Sequence, residues 1–177
     1  RRRLLRPMGK SAPARLTFCP APEGTGIYFV RRDLPGSPAI ATQADRVTAT
    51  TMATTLGGEA FSVSTVEHCL STIAALRIDN LFIELDGPEI PIGDVSAAPF
   101  LEAILGAGLV EQNEPRKYAY ITQPIFQGDQ DKHAYVTPYN GPRISCTIEF
   151  SHPKRGNRPM SLAVTAQMGT ATPLSAK

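Results

Sequence analysis

Apolar and polar residues alternate over RLTFCPAP (Arg15 to Pro22) until two prolines stop the run, which predicts a strand. GIYFV (Gly26 to Val30) predicts a second strand, entered through Glu23-Gly24-Thr25-Gly26, and RRDLPGSP (Arg31 to Pro38) has the composition of a loop. RVTATTMATTL (Arg46 to Leu56), rich in threonine, is expected to be extended up to a Gly57-Gly58 turn. From Ser64 to Leu76 the pattern changes to that of a helix. Val66, Leu70, Ile73 and Ala74 share one face, widened by Cys69 and Leu76, while Glu67, His68, Ser71 and Thr72 gather opposite. Arg77 and Asp79-Asn80 end that helix, and LFIEL (Leu81 to Leu85) returns as a strand stopped by Asp86-Gly87-Pro88. A second helix is expected from near Ser96, with Pro99 in its first turn and Gly106 and Gly108 at its end. Phe100, Leu101, Ile104 and Leu105 form its apolar side.

The last third reads differently. KYAYITQPIF (Lys117 to Phe126), HAYVTPY (His133 to Tyr139) and RISCTIEF (Arg143 to Phe150) alternate like three antiparallel strands joined by the turns GDQD and NG. From Lys154 the periodicity weakens, and residues 156–177 are expected to be a poorly ordered tail.

Composition narrows the class. The 177 residues are 42% hydrophobic and 19% charged with a net charge of +2, which is ordinary globular composition. With 16 prolines and 14 glycines, long uninterrupted helices are not expected. No run is long and apolar enough to span a membrane. The start, RRRLLRPMGK, lacks the apolar region of a secretory signal, and residues 1–14 read as a solvated basic tail. No basic stripe elsewhere supports nucleic-acid binding. Cys19, Cys69 and Cys146 are far apart and form neither a disulfide framework nor a zinc ribbon, so reduced thiols in a cytoplasmic protein are expected. No phosphate-binding glycine loop occurs. Asp86 and Glu89 read as a polar turn, and Asp94 with Ser96 as the cap of the second helix.

The chemistry turns on Glu67-His68, for which two readings stand. Ser64-Thr65-Val66-Glu67 fits a capping box, which would leave Glu67 a helix cap and His68 a solvated side chain. Alternatively Glu67 is a general base and His68 a metal ligand. A catalytic zinc takes three protein ligands and activates a bound water. Only His133 and His152 remain as further histidines, neither at helical ligand spacing.

The segment STVEHCLSTIAALRIDNLFIELDGPEIPIGDVSAAPF (Ser64 to Phe100) resembles the signature of the bacterial UDP-3-O-acyl-N-acetylglucosamine deacetylases, zinc amidases of lipid A synthesis. PAPEGTGIYFVRRDL (Pro20 to Leu34), ATTMATTL (Ala49 to Leu56), DKHAYVTPYNG and TIEFSHP (Thr147 to Pro153) extend the resemblance over most of residues 15 to about 165. The resemblance implies Glu67 as catalytic base, His68 as one Zn2+ ligand, and Thr51, Met52 and Ala53 near the substrate, UDP-3-O-acyl-N-acetylglucosamine. It also implies an α+β fold: a two-layer sandwich of a small mixed or antiparallel sheet backed by two helices. This first domain would cover residues 15–115, with a short antiparallel strand meander of an incomplete second domain over 116–155.

Departures qualify the match. The family's remaining zinc ligands, on a His-Lys-x-x-x-Asp helix, and its later general-acid histidine do not occur in these residues. The zinc site is therefore expected to be incomplete, and the chain to be a truncated or frame-shifted copy, inactive alone. Pro7-Met8-Gly9-Lys10-Ser11 replaces the usual Gly-Leu-His-[Ser/Thr]-Gly, Gly93 stands where methionine is usual, and Val95 where glycine is. A valine retained at positive φ costs about 1 kcal/mol or more. Without an opposing helix layer, Val66, Leu70, Ile73, Phe100 and Ile104 are the candidates to lie exposed, though their own sheet must take some of them, and each left in water forgoes about 1.5 to 3 kcal/mol of burial. Self-association, or docking on a chain carrying the missing C-terminal half, is expected; a partner-dependent half-enzyme or a non-catalytic interaction domain are the alternatives to an active deacetylase.

Overall fold

The computed structural model describes residues 3–4, 14–58, 60–91, 94–130, 132–141, 143–151 and 159–167. It divides into two compact units, Arg1–Arg116 and Lys117–Lys177, and its fold class is α+β.

In the first unit, β1 (Arg3–Leu4), β2 (Arg15–Pro20), β3 (Ile27–Arg31) and β4 (Ala39–Ala41) lead to a 3-10 turn at Ala44–Arg46. Then come β5 (Val47–Ala49), β6 (Thr55–Gly57), β7 (Ser62–Ser64), α1 (Glu67–Ala75), β8 (Leu81–Leu85) and α2 (Ala98–Ala107). The main sheet has the order β1-β2-β8-β3-β4, antiparallel except for the parallel pair β3–β8. Along β8 the pleat sends Leu81, Ile83 and Leu85 into the core and leaves Phe82 and Glu84 half-buried on the other face. There Phe82 meets Tyr28 at 6.3 Å between ring centroids, and Glu84 pairs with Arg32. The core face packs against Val66, Cys69 and Ile73 from the α1 segment and Phe100 and Ile104 from α2.

This packing corrects the sequence expectation. Val66, Ile73, Phe100 and Ile104 are buried by their own sheet and Leu70 is partly buried, so the residues expected to lie bare are covered. The exposed large apolar side chains of α2 are Leu101 and Leu105, at 38% and 53%. On α1, Thr72 is buried and Ala74 exposed, the reverse of the helical-wheel assignment. Thr72 tolerates burial because its hydroxyl donates to the His68 carbonyl at 2.9 Å and lies 3.3 Å from that of Ala97.

Arg46 to Leu56 is not one extended run. It folds back at Thr51-Met52-Ala53, and β5, β6 and β7 form a separate antiparallel sheet. Buried Arg31 ties this sheet to the main one. Its guanidinium makes a fork on Asp33 at 2.8 and 2.7 Å and donates to the Ser62 carbonyl at 2.9 Å. Gly57 ends β6 as a strand residue, and the short strand β4 had no sequence signal.

The second unit contains two hairpins. β9 (Ile125–Gly128) pairs with β10 (His133–Val136) through the GDQD turn, where the Asp129 carboxylate accepts from the Lys132 amide at 2.7 Å. β11 (Arg143–Ser151) pairs with β12 (Pro159–Gln167), not with β10. So the three-strand meander is corrected to two hairpins, Lys117 to Pro124 lies outside the strands, and residues 159–167 of the expected tail are a strand. The expectations for residues 1–2, 5–13, 152–158 and 168–177 fall outside the described residues.

Candidate active site

Glu67 and His68 open the first turn of α1, and no capping box forms there. Ser64 belongs to β7 instead. Its amide donates to the Pro88 carbonyl at 2.9 Å, and its own carbonyl accepts from Ile90 at 3.1 Å, so the Pro88–Ile90 segment stitches onto the strand. Thr65, buried and at φ 62°, turns the chain from strand into helix, and its hydroxyl donates to Glu89 at 3.0 Å. Asp86 and Glu89 therefore do different jobs: Glu89 holds Thr65, while Asp86 accepts from the Arg15 amide at 2.5 Å.

Glu67 reaches away from the position a capping box requires. Its Oε1 accepts from the backbone amide of Thr54, which follows the Thr51-Met52-Ala53 fold-back, while the Thr54 carbonyl accepts from Val66 at 3.4 Å. Burial acts to raise the Glu67 pKa, but its own amide, the Thr54 amide and hydroxyl, and the charge of His68 outweigh it. The carboxyl is held below its ordinary range and is ionised at neutral pH, on an exposed residue.

His68 is half-buried beside it. The loop before α2 carries Asp94 close enough for His68 to help hold that carboxyl low, after the larger contribution of its bond from Ser96. Asp94 Oδ1 accepts from the Ser96 hydroxyl at 2.7 Å and amide at 3.1 Å, and the Ser96 hydroxyl accepts from the Ala98 amide at 3.1 Å. The expected cap is thus present as a relay, one step before Ala97, the residue that occupies the cap position. Val95 sits at φ 65°, so the strained conformation expected of it is retained. Met52 and Thr65 are two of the five described non-glycine residues at positive φ, and both lie within two residues of the Thr54–Glu67 hydrogen bond. Strained backbone concentrated in this way is common at functional sites.

One participant escaped the sequence reading. Thr54 lies one residue beyond the Thr51–Ala53 stretch, and its contact with Glu67 arises only when β6 pairs with β7. Asp94 read as a cap because its local signal is that of a cap, and its hydrogen bonds go to Ser96; the charge of His68 adds the least of the effects on its carboxyl.

The residues present do not fit a complete zinc site. Among the described residues no group of three or more His, Cys, Asp or Glu is placed to hold a metal ion. His68 offers one donor. His133 is on β10 in the second unit, stacked between Phe126 and Tyr135 at 5.6 and 6.5 Å, and His152 lies outside the described residues. Among the described residues no helix is long and apolar enough to cross a membrane.

Comparison with known proteins identifies the family. Residues 8–172 match the family UDP-3-O-acyl N-acetylglycosamine deacetylase, so the match continues past Thr165, where the resemblance was expected to stop. A UDP-3-O-acyl-N-acetylglucosamine deacetylase of Bdellovibrio bacteriovorus is 59% identical over 155 residues, 88% of this chain and 51% of the relative. The enzymes of the same name from Myxococcus xanthus and Shewanella oneidensis are 49% and 44% identical, each over 78% of this chain and 44% and 46% of the relative. The chain spans about half the length of the curated relatives it matches. The chain belongs to the UDP-3-O-acyl-N-acetylglucosamine deacetylase family.

Proposed function

From that membership we propose that this chain supplies part of the site that hydrolyses the N-acetyl group of UDP-3-O-acyl-N-acetylglucosamine in lipid A biosynthesis. Glu67 is the general base, His68 donates one imidazole to a Zn2+ ion, and the Thr51-Met52-Ala53 turn lies along the substrate. The observation that carries the reading is the Glu67 carboxylate, ionised and fixed at one oxygen by Thr54, with an imidazole next to it on the same helical turn. A base must be unprotonated and held within reach of the proton it takes.

Because the donor set here is one histidine, no step is assigned to the metal. The remaining ligands come from residues outside these 177, on the same polypeptide or on a second chain, and the 177 residues alone do not turn substrate over. Exposed Leu101 and Leu105 on α2 favour association with such a partner, or with another copy, over a non-catalytic relic. Free Cys19, Cys69 and Cys146 accord with a cytoplasmic setting.

The test is zinc content and acetate release from UDP-3-O-acyl-N-acetylglucosamine, for the chain alone and with the C-terminal half of the Bdellovibrio relative added. Activity only in the mixture, abolished by His68→Ala and reduced by at least about 100-fold in Glu67→Gln, is expected. Full activity of the chain alone, or activity indifferent to His68→Ala, overturns the reading.

A further inference from the structure

We propose that Thr54 is a positioning residue for Glu67, its backbone amide fixing the carboxylate in the orientation from which it takes a proton. The function assigned to that orientation rests on the deacetylase reading; the contact itself does not. The Thr54 amide donates to Glu67 Oε1.

This bond differs in kind from a helix cap. A cap supplies acceptors to the unpaired amides of a first helical turn. The Thr54 carbonyl does so, accepting from Val66 at 3.4 Å. Its amide does the reverse, presenting a donor to a side chain, which satisfies none of the helix's own amides. A charge-assisted bond of this type is short and directional, and it ties one carboxylate oxygen to the fold-back.

The fold-back that delivers it is strained. Met52 stands at φ 62° and is fully exposed, so no packing of its side chain compensates the backbone cost. Thr55 is already locked opposite Ser64 in β6–β7. The chain must therefore reverse within Thr51-Met52-Ala53 to place the Thr54 amide over the first turn of α1. This gives the turn a role in addition to lying along the substrate.

Amide hydrogen exchange on the 15N-labelled chain tests the contact without requiring turnover. Glu67→Ala is expected to speed exchange at Thr54 by at least about tenfold while leaving Leu56, in the same small sheet, unchanged. Thr54→Pro, which removes the amide donor, is expected to shift the 13C carboxyl resonance of Glu67, and Thr54→Ser, which keeps it, to return it. In the reconstituted acetate-release assay, Thr54→Pro is expected to lower kcat about tenfold at constant KM, with Thr54→Ser, which keeps the amide, restoring it. Equal acceleration at Thr54 and Leu56 would mean a general loosening of the sheet and overturn the proposal. So would a Glu67 resonance that ignores Thr54→Pro, or a kcat that does. The expected exchange and resonance changes in a mixture that releases no acetate would support the fixing of Glu67 and overturn only the deacetylase reading.

Discussion

The two units make the same kind of backbone bonds and use them differently. In Arg1–Arg116, the sheet β1-β2-β8-β3-β4 turns one face to α1 and α2, and Phe29, Val63, Ile83 and Phe100 are fully buried. In Lys117–Lys177, β11 and β12 form a long ladder and β9 pairs with β10, yet every described side chain from Lys117 to Thr147 is exposed. Hydrogen-bonded strands are thus not enough to make a core; a second layer must cover one face. Glu67 can be held rigidly because the underside of its helix, at Cys69 and Ile73, is sealed against the sheet. His133, on a hairpin with exposed rings, has no such support.

Substitution at matched aromatic residues tests this contrast most severely. Phe100→Ala is expected to destabilise the first unit by about 3 to 5 kcal/mol, and Phe126→Ala to change stability by no more than about 0.5 kcal/mol, in urea unfolding followed by tryptic cleavage of each unit. Comparable losses from the two would erase the distinction.

Thiol chemistry sharpens it. Burial pushes the Cys69 thiol far above its ordinary pKa, whereas Cys146 is exposed. With an aromatic disulfide reagent at neutral pH, Cys146 should react within minutes and Cys69 only as fast as the first unit unfolds, read by mass spectrometry of each cysteine peptide. Rapid labelling of Cys69 in the native chain would show that the core is not closed.

A smaller effect is expected at Val95, which pays for its φ of 65° with no compensating burial. Val95→Gly should raise the stability of the first unit by up to about 1 kcal/mol, offset in part by the entropy glycine gains when unfolded. Denaturation midpoints of the two variants decide it; a loss of stability would mean that the valine side chain contributes packing not evident here.

The smallest expected effect is with pH. The Arg31 fork on Asp33 is the main cause that holds the Asp33 carboxyl below its ordinary value of 3.8. A carboxyl depressed in the folded state contributes stability that is complete above its unfolded pKa and lost as pH falls through the folded value. Unfolding free energy should therefore decline below about pH 4, and less steeply in Asp33→Asn. Identical acid limbs would remove the pair from the account.

Much of this was legible in single stretches of sequence. LFIEL is the strand Leu81–Leu85 to the residue, because alternation on a half-buried pleat and a Gly-Pro stop are both local signals. α2 begins where Pro99 and the Asp94-Ser96 pair place it, and the GDQD turn makes its hairpin. The Glu-His pair was visible as a pair, but not as a site. By itself the sequence determined where chain elements form, since propensity, turn chemistry and periodicity act over a few residues. The apolar face of α1 turned inward as the pattern predicts, at Val66, Cys69 and Ile73; tertiary structure alone buried Thr72 and exposed Ala74 at its margins, where the Ala97 carbonyl before α2 lies near the Thr72 hydroxyl. It also decided where the Glu67 carboxylate goes, to the Thr54 amide and not into a capping box. Thr54 and Glu67 are thirteen residues apart, and no local rule brings an amide to a carboxylate over that distance; the pairing of β6 with β7 does.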